Sequence, residues 1–141
     1  MIIVSACLAG IRCRYDEKDV VAKEVRSLVR EGKALPVCPE QLGGLPTPRS
    51  PAEIVDGDGE DVLRERARVI DKEKRDVTEQ FIKGARQVAD LAKLVGARQA
   101  IFKSGSPSCG CGRIKGKGVP VKGNGVAAAL LLREGIEVSE K

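Results

Sequence analysis

The sequence contains no histidine and no tryptophan, and its aromatic residues are Tyr15, Phe81 and Phe102 alone. Without histidine, His-based catalytic triads, His-ligated zinc and imidazole general-base chemistry are excluded within the chain. Acid–base work falls to carboxylates, lysine, cysteine, tyrosine or water. With so few rings the core must be mostly aliphatic. Stacking platforms for single-stranded bases are nearly absent, which counts against a dedicated nucleic-acid binder. No window of about 18 uncharged apolar residues exists, so no membrane span is expected. The opening MIIVSACLAG is apolar but lacks a basic leader. It reads as a first buried strand rather than a signal peptide, and predicts a cytoplasmic protein.

Amides are scarce too, with one Asn and four Gln against 32% charged residues, a bias toward Lys, Arg and Glu that resembles a thermophile's composition. The net charge of +5 is unevenly placed. Residues 91–133 hold no Asp or Glu, while Lys93, Arg98, Lys103, Arg113, Lys115, Lys117, Lys122 and Arg133 supply eight positive charges. Such a face attracts an anionic small molecule or a nucleic acid, or it is simply the solvated side of a basic protein.

A length of 141 residues predicts one domain spanning the whole chain. Residues 2–7 form a β-branched apolar run and predict a buried strand. Helical spacing appears over residues 19–30, stopped by Gly32, and a short strand follows over 34–38. Residues 39–51 are punctuated by proline and glycine without a helical period and predict a long loop. Residues 52–55 and 66–70 predict a small hairpin across Asp56-Gly57-Asp58-Gly59. The strongest helix falls on residues 74–95, with Val77, Phe81, Ala85, Val88, Ala92 and Val95 on one face. A strand at 99–102, a glycine-punctuated segment at 116–125, a helix at 126–133 capped by Asn124, and a strand at 136–138 complete the reading. This alternation predicts an α/β fold: a single compact domain with a largely parallel, Rossmann-like sheet flanked by helices, and a small strand pair inserted. In such sheets ligands bind beyond the carboxyl ends of the strands. Cys7, Cys38 and the loop KSGSPSCGCG (residues 103–112) then meet at one edge.

Five cysteines in a cytosolic protein are poor candidates for structural disulfides, and the odd number leaves one unpaired. Buried inert thiols are one reading. Structural zinc is a second, although paired CxxC knuckles are missing. Redox or persulfide chemistry at Cys109 and Cys111 is a third. The fourth is an iron–sulfur cluster on Cys7, Cys38 and Cys109, whose three thiolates would leave one iron of a cubane open. The spacing itself, Cys-x30-Cys-x70-Cys, matches no generic ferredoxin pattern.

The blocks SACLAGIRCRYD (residues 5–16), PVCPEQLGGLPTPRSPAEI (36–54), KSGSPSCG (103–110) and GNGVAAALL (123–131) resemble a compact bacterial and archaeal family, formerly a domain of unknown function and now linked to thiouracil desulfidases. The match covers nearly the whole chain in order. The resemblance implies a [4Fe–4S] cluster on Cys7, Cys38 and Cys109, with the fourth iron free to bind the sulfur of a thiolated nucleobase or nucleotide. It also implies Glu40 as the proton-transfer carboxylate, and Ser104 or Ser106 in contact with the substrate or the reacting water. From the residues alone, Glu40 could instead pair with Arg49, and the serines could serve only the turn. Arg12, Arg14 and Arg49 are candidates for binding an anionic moiety or for tying loops to carboxylates. Cys13 and Cys111 are candidates for an additional ligand, which would close the open iron. Asp16-Glu17 stands where the family often has Asp-Gly. The alternative from a different class is a non-catalytic cluster- or metal-binding protein, or sulfur carrier, acting with a partner.

Overall fold

The computed structural model describes residues 1–116 and 119–141. Lys117, counted in the basic stretch, and part of segment 116–125 lie outside the described residues. In chain order the elements are strand β1 (Ile2–Ser5), a 3₁₀ turn (Ala6–Ala9), helix α1 (Lys23–Arg30), strand β2 (Ala34–Val37), short helix α2 (Pro39–Leu42) and strand β3 (Ala52–Val55). Helix α3 (Gly59–Leu63), strand β4 (Arg68–Asp71), helix α4 (Thr78–Leu94), strand β5 (Gln99–Phe102), strands β6 (Arg113–Gly116) and β7 (Val119–Lys122), helix α5 (Val126–Arg133) and strand β8 (Glu137–Glu140) follow. Strands β2-β1-β5-β8 form one sheet, parallel throughout. Two antiparallel pairs, β3–β4 and β6–β7, stand apart from it.

Period-two alternation explains why the sheet is covered on both faces. Ile3, Val37, Ala100 and Phe102 face the larger core, where they meet Phe81, Ala85 and Val88 of α4 and Val126, Ala127 and Leu131 of α5. Val4 and Ala34 face the opposite way, onto Val25 of α1 and the 3₁₀ turn. Among the described residues, no helix is long and apolar enough to cross a membrane.

Several expected boundaries move, each for a local reason. The first strand ends at Ser5 because Ala6–Ala9 winds into a turn closed by Gly10, whose φ of 99° suits glycine. The helix expected from residue 19 starts at Lys23, since the Val20 and Ala22 amides donate to Cys7 and Leu8 carbonyls instead. Pro39 stands at the start of a one-turn helix inside the expected loop 39–51, the position where its fixed φ and missing N–H cost nothing. The β3–β4 pair forms, but its connection holds α3, opened by a reciprocal Asp58–Asp61 capping box. Helix α5 is capped by Gly125, not Asn124: the Asn124 side chain accepts the Gly112 amide at 2.7 Å.

One close approach places the site. Helix α2 lies against α4 so tightly that a Cβ on Gly84 would sit 1.9 Å from the Pro39 carbonyl oxygen, and one on Gly43 would sit 1.9 Å from that of Gln80. Only glycine on both sides lets α2 settle there, and α2 carries Glu40.

At the start of α4, the Thr78 amide donates to Asp76, which also ion-pairs with Arg68 at 2.8 Å. Hydrogen bonds from Thr78, side chain then amide, hold the Asp76 carboxyl well down, at about 2. The unfolded carboxyl protonates near 3.9. The ionised form therefore stabilises the fold above that value, and the contribution fades as pH falls toward 2. Asp76→Asn is expected to lower stability in urea melts at pH 7, with the deficit shrinking as pH falls from about 4 toward 2.

Candidate functional site

The carboxyl ends of β1, β2 and β5 open onto a cavity of about 490 Å3. Its lining includes Cys7, Cys13, Cys38 and Cys109, together with Glu40, Ser104, Ser106, Ser108 and the cations Arg14, Lys103 and Lys115. The order β2-β1-β5 explains the convergence: the chain passes from β1 to β2 on one side, β5 is later added on the other side of β1, and a crevice opens where the strand order switches. Cys111 does not line this cavity. Its thiol donates to the Val138 carbonyl at 3.6 Å and its amide to Glu140.

The thiols have distinct surroundings. Burial pushes the Cys109 thiol up to about 12, while hydrogen bonds from Ser5 and Ser108 pull it partly back. Cys38 is raised by its hydrogen bond with the Cys13 thiol and by burial, and its own Sγ donates to the Cys13 carbonyl at 3.7 Å. Cys7 is lowered by its hydrogen bond with Cys13, against the effect of burial. Cys13, joined to both, is favoured as thiolate by Cys38, but Cys7 and burial prevail and raise it to about 11. Among the described residues no three Cys, Asp or Glu side chains close around a single metal ion. Four thiols lining one cavity are soft donors of the kind that hold a thiolate-bound centre. A bound cation inverts the preference of such thiols for the proton.

Glu40 is held at both oxygens. Arg49 Nε donates to Oε1 at 2.9 Å, and Ser108 Oγ donates to Oε2 at 2.9 Å. The ion pair is largely buried, with 7% of the Arg49 side chain and 16% of the Glu40 side chain exposed. Arg49 is anchored in turn by the Pro46 carbonyl and the Thr47 hydroxyl, and its amide donates to the Tyr15 carbonyl. Glu40 thus lines the cavity and pairs with Arg49 at once. Arg12 and Arg14 also tie loops, to Asp19 and Asp16 respectively, each at 3.8 Å.

The serines form a directed chain. Ser106 Oγ accepts the amides of Ser108 and Cys109, each at 3.1 Å, so its proton goes to Ser108 Oγ 2.9 Å away. Ser108 Oγ also lies 3.7 Å from the Cys109 sulfur. Ser104 accepts from Lys103 Nζ at 3.0 Å. The turn itself is docked on α5. The amides of Val126, Ala127 and Ala128 donate to the carbonyls of Pro107 and Ser108 at 2.8–3.1 Å, satisfying donors that a helix start leaves free. A Cβ on Gly125 would lie 2.5 Å from the Ser108 carbonyl carbon, so this contact requires glycine.

Two residues escaped the sequence reading. Ser108 bridges Glu40 to Cys109, and its place immediately before that cysteine was the available signal. Ser5, buried at the end of β1, accepts the Lys103 amide at 2.9 Å and joins two strand ends under Cys109. Breaking a buried pair by removing one partner strands a charge, so Arg49→Ala is expected to cost about 3 kcal/mol in denaturant melts. In the double variant with Glu40→Ala the loss should be smaller than the sum of the two single losses, and strict additivity would show that the pair is not coupled.

Three comparisons place this chain among known proteins. A family model described as 2-thiouracil desulfurase matches residues 2–141. The chain is 46% identical over 141 residues to the uncharacterized protein YbbK of Bacillus subtilis (strain 168), covering 98% of this chain and 93% of that one. The solved structure of a [4Fe–4S]-dependent thiouracil desulfidase, TudS, superposes with a TM-score of 0.86 at 43% identity, covering 99% of this chain and 89% of that chain. A family match over essentially the full length, joined to a fold and a thiol-lined cavity that agree with it, identifies this chain as a member of the 2-thiouracil desulfurase family.

Proposed function

We propose that the chain is a [4Fe–4S]-dependent desulfidase that replaces the sulfur of a thiolated pyrimidine with oxygen from water. The observation that carries this reading is the meeting of Cys7, Cys38 and Cys109 with Glu40 in one cavity. The donor set fits the cluster: the cavity is lined by thiols, Cys7, Cys38 and Cys109 among them, and the chain has no imidazole. Cys7, Cys38 and Cys109 would hold it, and when bound it supplies a Lewis-acidic iron with affinity for sulfur. Cys13 lines the same cavity and hydrogen-bonds two of the three, whereas the Cys111 thiol is bonded to the Val138 carbonyl outside it.

The chain's own residues manage the proton and the substrate. Converting C=S to C=O consumes one water and releases sulfide without net oxidation or reduction. Glu40, hydrogen-bonded by Arg49 and Ser108, takes a proton from the attacking water at one of its carboxylate oxygens. The Ser106–Ser108 chain is aligned to donate toward the same carboxylate and to steady it as charge shifts. Ser104 and Lys103 offer donors to the in-plane oxygen of the ring. Arg14, Lys103 and Lys115 also line the cavity, so the reading covers a nucleotide as well as a free base.

The test is sulfide release from 2-thiouracil and 4-thiouracil by anaerobically reconstituted protein. Glu40→Gln keeps the shape and is expected to retain the cluster absorbance while losing about 100-fold or more in kcat. Full activity in that variant removes Glu40 from the mechanism. Absence of any sulfide release by the loaded wild type removes the desulfidase reading.

A further inference from the structure

We propose that Tyr15 is the platform on which the pyrimidine ring stacks, so that this side chain sets the cavity's preference for a flat heterocycle. The inference rests on the desulfidase reading and adds to it the group that recognises the ring. A thiolated pyrimidine presents its polar atoms in its own plane, where Glu40, the serines and the lysines of the cavity serve them. Its two faces need a planar, polarisable partner. Of the three aromatic side chains in the molecule, Phe81 and Phe102 are 2% and 0% exposed and belong to the core. Tyr15 alone lines the cavity, where it is partly exposed.

Its setting is that of a fixed surface. The Tyr15 carbonyl accepts the Arg49 amide at 3.0 Å, so the residue that clamps Glu40 also fixes the backbone carrying the ring. The Arg14 guanidinium lies over the ring, 5.8 Å from its centroid, and is itself paired with Asp16. Arg14 lines the same cavity, so ring and guanidinium together offer a flat, cation-backed surface beside the thiols.

The experiment uses the reconstituted holoenzyme with Tyr15→Phe, which keeps the plane, and Tyr15→Leu, which keeps apolar bulk but not the plane. Two readouts are taken: KM and kcat for 4-thiouracil, and the competitive inhibition constant of uracil, which carries no sulfur. Tyr15→Phe is expected to match the wild type in both. Tyr15→Leu is expected to raise KM and the uracil inhibition constant together by about tenfold, with kcat changed far less. Equal constants in Tyr15→Leu and wild type would overturn the stacking role and leave the desulfidase reading intact. A rise in Tyr15→Phe as large as in Tyr15→Leu would overturn it as well, by assigning the effect to the hydroxyl. A wild type that releases no sulfide would fail the underlying reading and this inference with it.

Discussion

The joint between the start of α5 and the turn before Cys109 is the contact on which the rest of the site depends. Three helix amides need acceptors, and the carbonyls of Pro107 and Ser108 supply them. That exchange fixes the backbone of a proline- and serine-rich turn that has little apolar surface of its own to hold it. Once the turn is fixed, Ser106 can gather two amides, Ser108 can reach Glu40, and Cys109 can face the cavity from the protected side. The apolar helix behind the joint, with Ala127, Ala128 and Leu131 all buried, provides the hydrophobic anchoring that the turn lacks. Gly125 is the residue that makes the approach close enough.

The second half of the site is held by the same device in another place. Helix α2 is too short to be stable alone. It persists because Gly43 and Gly84 let its backbone meet that of α4, and because Arg49 ties its Glu40 to the following loop. Cys38 precedes this turn directly, so thiol and carboxylate are positioned by one short element. The sheet contributes the third part through Ser5, whose hydroxyl links the ends of β1 and β5 beneath Cys109.

The frame of this arrangement was legible in the sequence. Strands β1 and β5 show as short apolar runs because both sheet faces are buried, and α4 shows in the period of Val77, Phe81, Ala85, Val88 and Ala92. Parallel order then brings Cys7, Cys38 and Cys109 to one edge without any local motif. The cysteine spacing has no recognisable pattern because crossover helices separate the strand ends. The cofactor therefore came from the resemblance of whole blocks and not from counting. What remained hidden was tertiary. A one-turn helix carries no periodic signal, and the Ser108–Glu40 contact joins residues 68 positions apart. Asn124 looked like a cap because its residue type fits one, yet a nearer partner at Gly112 claims its side chain. The β6–β7 ribbon was obscured by glycines that read as loop.

The most direct measurement of the central claim is iron and sulfide content after anaerobic reconstitution, across single Cys→Ser variants of all five cysteines. The account predicts about four irons per chain in the wild type. It predicts the same in the Cys13 and Cys111 variants, and loss in those of Cys7, Cys38 and Cys109. A wild type that takes up no iron, or a cluster that survives removal of Cys109 but not of Cys13, would contradict it.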